Sequence, residues 1–330
     1  MKIWYLALVI LTPLAACAQV QRGAGTYGMS ERACDNCASA RLAAGEQMMA
    51  VFALEGGGDA FGQDGRLFGR QAYAGLDGKL GALTMGRQYN PQYQVLTGVA
   101  DSFRGGMAGA GNLMGYSVKR YDNTIQYATP PLHGLVASAM YSFGESPYSS
   151  AHNRAYGAML GYATGVVNLS VAHQRKDDVI GSNGIVPALD TSTSNTLLAA
   201  NFHFGPTTAF AAYGVNRGLG SSPWDPSAPY STLTLLNSSS DSRDTLLGLS
   251  MPFGGVTYMA SFIRKADREA SHRDAHQVAL GMTYSLSRRT DFYASYAKIK
   301  NLNGAAYTVG TASDAGRATA AFNIGLHHSF

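Results

Sequence analysis

The chain has 330 residues, a formal net charge of +4, 14% charged residues, 39 glycines and 19 tyrosines. Soluble domains carry roughly 25% charge, and no run of Arg and Lys here is long enough for a phosphate-binding stripe, which excludes nucleic acid as the partner. Beyond residue 18 no stretch reaches about 18 consecutive apolar residues, which excludes a helical membrane span and leaves a soluble β-protein or a membrane barrel.

Residues 1–18 read as a secretory signal peptide: Lys2, an apolar run from Ile3 to Leu11 too short to cross a bilayer, then Pro13 and small residues. Cleavage after Ala18 would start the mature chain at Gln19. The alternative is a lipoprotein box, "LAAC" at 14–17, with Cys17 as a lipidated N-terminus. Residues 19–45 are irregular. "TYG" (26–28) is a possible strand remnant, and residues 29–47 lack clean alternation, so the segment reads as helix or coil, or as two irregular strands. Within it Cys34 and Cys37 form "CDNC". A redox motif wants a βαβ context, and a zinc site wants a second CxxC or a His pair, so a minor local bridge is the expectation.

From residue 46 onward, segments of about ten residues alternate apolar positions and end in Gly, Pro, Asn, Asp or Ser. Fourteen strands are expected, near 46–56, 66–76, 80–89, 118–129, 134–144, 155–164, 165–175, 195–205, 206–216, 243–253, 255–265, 274–287, 289–300 and 317–330. In "HQVALGMTYSL" Val278, Leu280, Met282, Tyr284 and Leu286 share one face and Gln277, Ala279, Gly281, Thr283 and Ser285 the other. Tight turns alternate with long polar connections such as 177–194, 217–243 and 301–316. Two loop sizes sorted to two rims fit a transmembrane antiparallel β-barrel, all-β, with about 16 strands by chain length and an aqueous lumen. The last strand, "AFNIGLHHSF", sets Phe322, Ile324, Leu326, His328 and Phe330 on one face. Phe330, with His328 and Leu326, resembles the recognition signal of the outer-membrane barrel assembly machinery.

Four segments carry a family resemblance. "MMAVFALEGG" and "GRLFGRQAYAGLDGKLGALTMGRQY" resemble the third to fifth strands of the Gram-negative general porins, specifically the trimeric β-proteobacterial type. "SVKRYDNTIQYATPPLHGLVASAMYSFG" resembles their sixth strand and following hairpin, and "GLHHSF" their ending. The resemblance spans about 46–330 and departs from the pattern over residues 19–45. It implies an outer-membrane homotrimer among lipid and lipopolysaccharide, passing small hydrophilic solutes and ions by passive diffusion. It further implies that the loop at 90–117 folds into the lumen as a constriction, facing arginines on the wall.

That loop has one acid, Asp101, and one base, Arg104. By motif match Arg87 in "MGRQY" is the first candidate for the basic wall, then Arg70 in "FGRQAY", then Arg66. An arginine facing lipid at the bilayer midplane costs about 2–4 kcal/mol, so these side chains are expected to point inward or to lie at the interface. Together the five residues predict a weak anion preference. No HExxH, GxSxG, Walker or GxGxxG-helix pattern is present, so neither catalysis nor a metal or cofactor is expected. The alternative function is a barrel acting in adhesion through its long loops, notably 217–243 with Trp224.

Overall fold

The computed structural model describes residues 36–43, 48–56, 68–144, 153–177, 179–180, 189–190, 192–218, 221, 238–310 and 319–328. The signal peptide, Cys17, Cys34, Arg66, Trp224 and Phe330 lie outside them.

The strands in chain order are β1 (Asn36–Ala43), β2 (Met48–Gly56), β3 (Gln71–Gly78), β4 (Gly81–Tyr89), β5 (Arg120–Ala128), β6 (Leu135–Ser142), β7 (Ala155–Ala163), β8 (Val167–Lys176), β9 (Val179–Ile180) and β10 (Leu189–Asp190). There follow β11 (Thr193–Phe204), β12 (Thr207–Arg217), β13 (Asp241–Phe253), β14 (Val256–Asp267), β15 (Ala275–Ser287), β16 (Thr290–Asn301) and β17 (Ala320–His328). Fifteen of them form one sheet of sequential neighbours, and β9 with β10 makes a separate two-stranded sheet inside one long connection. Every pairing is antiparallel. The main sheet formed by the described residues therefore holds fifteen strands, against about sixteen expected for the whole chain, and its ends are β1 and β17.

Strand positions follow the sequence reading closely, with one open alternative decided in part and one correction. Within 19–45, the part that is described forms β1, paired along its whole length with β2. Small Ala and Ser residues have little intrinsic β preference, so pairing decides what local pattern does not. The strand expected at 66–76 begins only at Gln71, so Arg70 occupies the bend before β3 rather than the strand itself.

Side chains sort by face. On β15 Leu280 is 57% exposed while its neighbour Ala279 is fully buried, and the outward row continues with Val278, Tyr284 and Leu286. A sheet whose exposed row is Leu, Val, Phe and Tyr, and whose covered row is Ala, Gln, Ser and Asn, is apolar on the outside. Tight turns join β3 to β4, β5 to β6, β7 to β8, β11 to β12, β13 to β14 and β15 to β16; the longer connections all leave the opposite ends. Among the described residues no helix is long and apolar enough to cross a membrane, a test that does not bear on strands. The buried apolar cluster lies between the inner face of the sheet and the connection from β4 to β5.

Candidate functional site

The β4–β5 connection, residues 90–119, starts with a helix that the glycine-rich sequence does not advertise. Asn90 caps helix α1 (Pro91–Val95), its side-chain oxygen accepting from the Tyr93 amide at 2.7 Å, with Pro91 in the first helical position. A π-helical turn, Leu96–Ala100, continues it, and a short 3-10 turn forms at Ala110–Asn112. Leu96, Val99, Leu113 and Met114 bury their side chains against Met159, Leu197 and Phe210 of the sheet's inner face. Each such side chain contributes roughly 1.5–3 kcal/mol when taken out of water, which pins the loop inward.

Inward polar residues on successive strands then fasten it. Gln174 on β8 donates to Ser117 Oγ at 2.7 Å and to the Tyr121 hydroxyl. Asn201 on β11 donates to the Val99 carbonyl at 3.1 Å, and Ser102 donates to the Ala260 carbonyl on β14 at 3.1 Å. Gln277 on β15 donates to the Ala108 carbonyl at 3.1 Å and accepts from Asn112 at 2.8 Å. The strongest fastening is charged. Asp244 on β13 accepts from the Gly115 amide at 2.8 Å, from Asn216 at 2.8 Å and from Lys265 Nζ at 2.9 Å, and both members of the Asp244–Lys265 pair are fully buried. Gly115 is needed there because a Cβ would lie 2.4 Å from Asn216 Cγ. Sequence reasoning missed these residues. Their one signal is a long polar side chain in the inward row of a strand otherwise lined by Ala, Gly and Ser.

The two charged residues within 90–117 part company. Asp101 is fully buried, and its carboxylate accepts from the amides of Phe103 (3.0 Å), Gly105 (2.9 Å) and Ala110 (2.8 Å). It therefore shapes the loop and presents no charge to water, unlike the lumen acid expected from the sequence. Burial pushes its carboxyl up to about 6, against the opposing pull of the three amides. Three residues on, Arg104 is exposed, held in the left-handed region at φ 52°, with its amide donating to the Asp101 carbonyl at 3.1 Å.

The structure brings Arg70 and Arg87 to one place, the loop end of β3–β5. Arg70 donates to the Tyr89 hydroxyl from Nε and Nη2, both at 3.3 Å. Arg87 Nε donates to the Gly69 carbonyl at 2.8 Å, and its Nη1 pairs with Asp122 at 2.8 Å. Arg120 joins them, donating to the same carbonyl at 3.0 Å and lying 5.0 Å from the Tyr89 ring centre. The β3–β4 register sets Arg87 opposite Ala72, in the row of Ala74–Met85 and Leu76–Leu83. Leu76, Leu83 and Met85 are exposed on the outer face, but past Gly86 the alternation lapses, with Gln88 and Tyr89 both buried, and Arg87 is held part-buried between the Gly69 carbonyl and Asp122. Near an interface a cation costs only about 0–1 kcal/mol, and Asp122 partly neutralises this one. A bulge at Gly86, φ 129°, shifts the β4–β5 register where the chain turns toward the loop. At the far end of the sheet, outward Leu326 is exposed and His328 bonds Thr290 Oγ1 at 2.8 Å.

Known proteins resemble this chain in sequence and in fold. A family described as Gram-negative porin matches residues 36–304. An outer membrane porin protein of Bordetella pertussis is 29% identical over 77% of this chain and 74% of its own length. Outer membrane porin protein 32 of Delftia acidovorans is 27% identical over 93% and 87%. Among solved structures, an anion-selective porin from Comamonas acidovorans superimposes with a TM-score of 0.66 at 24% identity, covering 88% of this chain and 87% of that one. The trimer form of OmpT from Vibrio cholerae gives 0.59 at 16% identity, covering 89% and 90%. With the matched segment spanning most of the sheet and the inward-folded loop, the chain belongs to the Gram-negative porins, the β-barrel channels of the outer membrane, and is not an enzyme.

Proposed function

We propose that this porin passes small hydrophilic solutes and ions by passive diffusion with a weak preference for anions, and that it works as a homotrimer. One observation carries the preference: within residues 90–117 of the loop the one acid is buried and the one base, Arg104, is exposed. A fixed positive charge beside a narrow water path raises the local concentration of anions. Two unit charges about 7 Å apart interact by roughly 0.6 kcal/mol in bulk water and by severalfold more beside a low-dielectric wall. That biases permeation without making it exclusive. The anion selectivity named for the Comamonas acidovorans porin and the trimer form of the Vibrio cholerae porin support the same reading. Arg70, Arg87 and Arg120 contribute at the mouth, each already engaged by Tyr89, Asp122 or Gly69.

The reversal potential in a salt gradient across a planar bilayer tests this. The unmodified protein should favour anions, more so at 0.1 M than at 1 M salt, where the Debye length falls from about 10 Å to about 3 Å. Arg104→Glu should move the potential toward cations. Cation selectivity in the unmodified protein, or no movement on that substitution, would remove Arg104 from the pore site. Absence of any conductance would instead favour adhesion.

A further inference from the structure

Much of the sheet's inner face is either covered by the β4–β5 connection or lined by groups that bond one another. Asn168, Asn201, His203 and Thr208 form one such chain across β8, β11 and β12. A patch near the tight turns on β15, β16 and β17 differs. Its inward rows set Ser285 opposite Asp291 and Asp291 opposite His327, then Thr283 opposite Tyr293 and Tyr293 opposite Gly325, then Ser295 opposite Asn323. On β12 the inward ring of Phe210 is buried beneath the connection, whereas the inward Tyr293 on β16 is half-buried.

Tyr293 leans along the wall. A Cβ at Gly325 would sit 2.5 Å from its Cζ and 2.8 Å from its Cε1, so the end of the ring occupies the space that a larger neighbour would need. A ring laid over the next strand presents a face to the interior. Around it, polar groups are short of partners. Among the described residues, the Tyr293 and Thr283 hydroxyls and the Asn323 amide nitrogen make no hydrogen bond, and Asn323 only accepts, from Ser295 at 3.3 Å. Asp291 accepts from Ser285 at 2.8 Å, and its other oxygen lies 3.8 Å from His327 Nδ1, beyond hydrogen-bonding reach.

An aromatic face bordered by a carboxylate acceptor, an amide donor and hydroxyls suits a pyranose. The C–H groups on one side of the sugar are apolar enough to lie on the ring, while its hydroxyls reach the polar groups at the ring's edge. Asp291 repels anions, and the hydroxyls and amide around it match a neutral polyhydroxyl solute better than a cation. Phe103 of the constriction loop fixes where the patch lies along the path. Its ring covers Gly281, where a Cβ would sit 2.7 Å from Phe103 Cε1, and Gly281 pairs with Ser295, one inward step before Tyr293. That step is about 7 Å along a strand, so a solute that has passed the loop meets Tyr293 next.

We propose that Tyr293, Asp291, Asn323 and Thr283 form a binding subsite for a neutral pyranose sugar, on the tight-turn side of the constriction loop. The proposal rests on the channel reading, which brings solutes to this face.

The test uses the full-length protein in an amine-oxide detergent, which carries no sugar head, and reads binding by NMR saturation transfer from the protein's aromatic protons. The probes are maltotriose, a poly(ethylene glycol) of similar mass, and guanidinium ion. Transfer should reach the ring protons of maltotriose and not the polymer. Tyr293→Phe should keep it, and Tyr293→Ala should weaken maltotriose binding roughly tenfold through loss of the ring's apolar contact. Asp291→Asn, which keeps the shape of the wall, should weaken it roughly fivefold, as expected for a charge-assisted hydrogen bond made weaker. Equal binding by the unmodified protein and by Asp291→Asn, or by Tyr293→Ala with its heat-modifiable mobility intact, would overturn the proposal. So would equal transfer to the polymer, or displacement of the sugar by millimolar guanidinium, the latter by pointing to a cation site. Planar-bilayer conductance of the unmodified protein reads the channel separately, and its absence would count against the channel and not against the sugar subsite.

Discussion

The Asp244–Lys265 pair shows how a single residue holds the pore shape. Both side chains are fully buried, and Asp244 also receives the Gly115 amide and Asn216. Removing one charge of such a pair strands the other in a poor solvent. Asp244→Asn should therefore lower unfolding free energy by about 3–5 kcal/mol in urea titrations. Gly115→Ala acts on the same contact by shape, because its Cβ would sit 2.4 Å from Asn216 Cγ. It should lift the loop from Asp244 and raise open-channel current noise in single-channel recordings. Asp101 gives a pH signature. Its carboxyl, at about 6 in the folded protein against an ordinary 3.8, binds a proton more tightly when folded than when unfolded. An acid raised in this way penalises the folded state above its folded pKa and ceases to do so below its unfolded one. Stability should rise by up to about 3 kcal/mol as pH falls from about 7 to about 4. Urea midpoints across that range should show the slope, and Asp101→Asn should flatten it.

At the scale of the element, the β4–β5 connection behaves as part of the sheet's inner layer. Fastenings come from β8, β11, β13, β14 and β15, so no single bond carries the loop. Replacing Gln277 alone by Ala removes its contacts with Ala108 and Asn112 and should cost about 1–3 kcal/mol locally. Replacing Asn201 as well should free both halves of the loop. Single-channel traces of the double variant should show discrete closing events that neither single variant shows. The terminal strand is expected to act in assembly more than in packing, since Phe322, Ile324 and Leu326 are all about as exposed as one another on the outer face. Deleting Phe330 should reduce outer-membrane yield far more than it destabilises protein refolded in detergent. Equal losses would count against an assembly signal.

Across the whole molecule, the inversion of polarity is what makes the channel possible. Apolar rows face out over β6 to β8 and β11 to β17, so lipid replaces water as the outer solvent, while backbone groups are paired strand to strand. Water is left for the inner side, against which the loop packs. If the molecule is a homotrimer, unheated samples on a denaturing gel should migrate near three times the mass of the 34.8 kDa chain and collapse to one chain on boiling. A monomer-sized band in both conditions would argue for a single barrel.

What the sequence alone determined was the class of fold and nearly all of its strands. Alternation with period two and the sorting of turns by length are local signals, and Val278, Leu280 and Tyr284 are exposed where that alternation places them. That the loop after "MGRQY" folds inward was expected from the family resemblance, with its glycines permitting it. Its chemistry was not. Asp101 and Arg104 look equivalent in a list of charges, and only the folded loop buries one under three amides and exposes the other. Arg87 was expected on the basic wall, and what the fold adds is its partners, the Gly69 carbonyl and Asp122, which only the pairing of β3, β4 and β5 brings beside it. Gly115, Asp244 and Lys265 are separated by more than a hundred residues of sequence at their widest, and their meeting is a property of the sheet's curvature of neighbours rather than of any local motif. Charge burial, register and long-range contact are all set by which strand lies beside which, and that is the information tertiary structure adds.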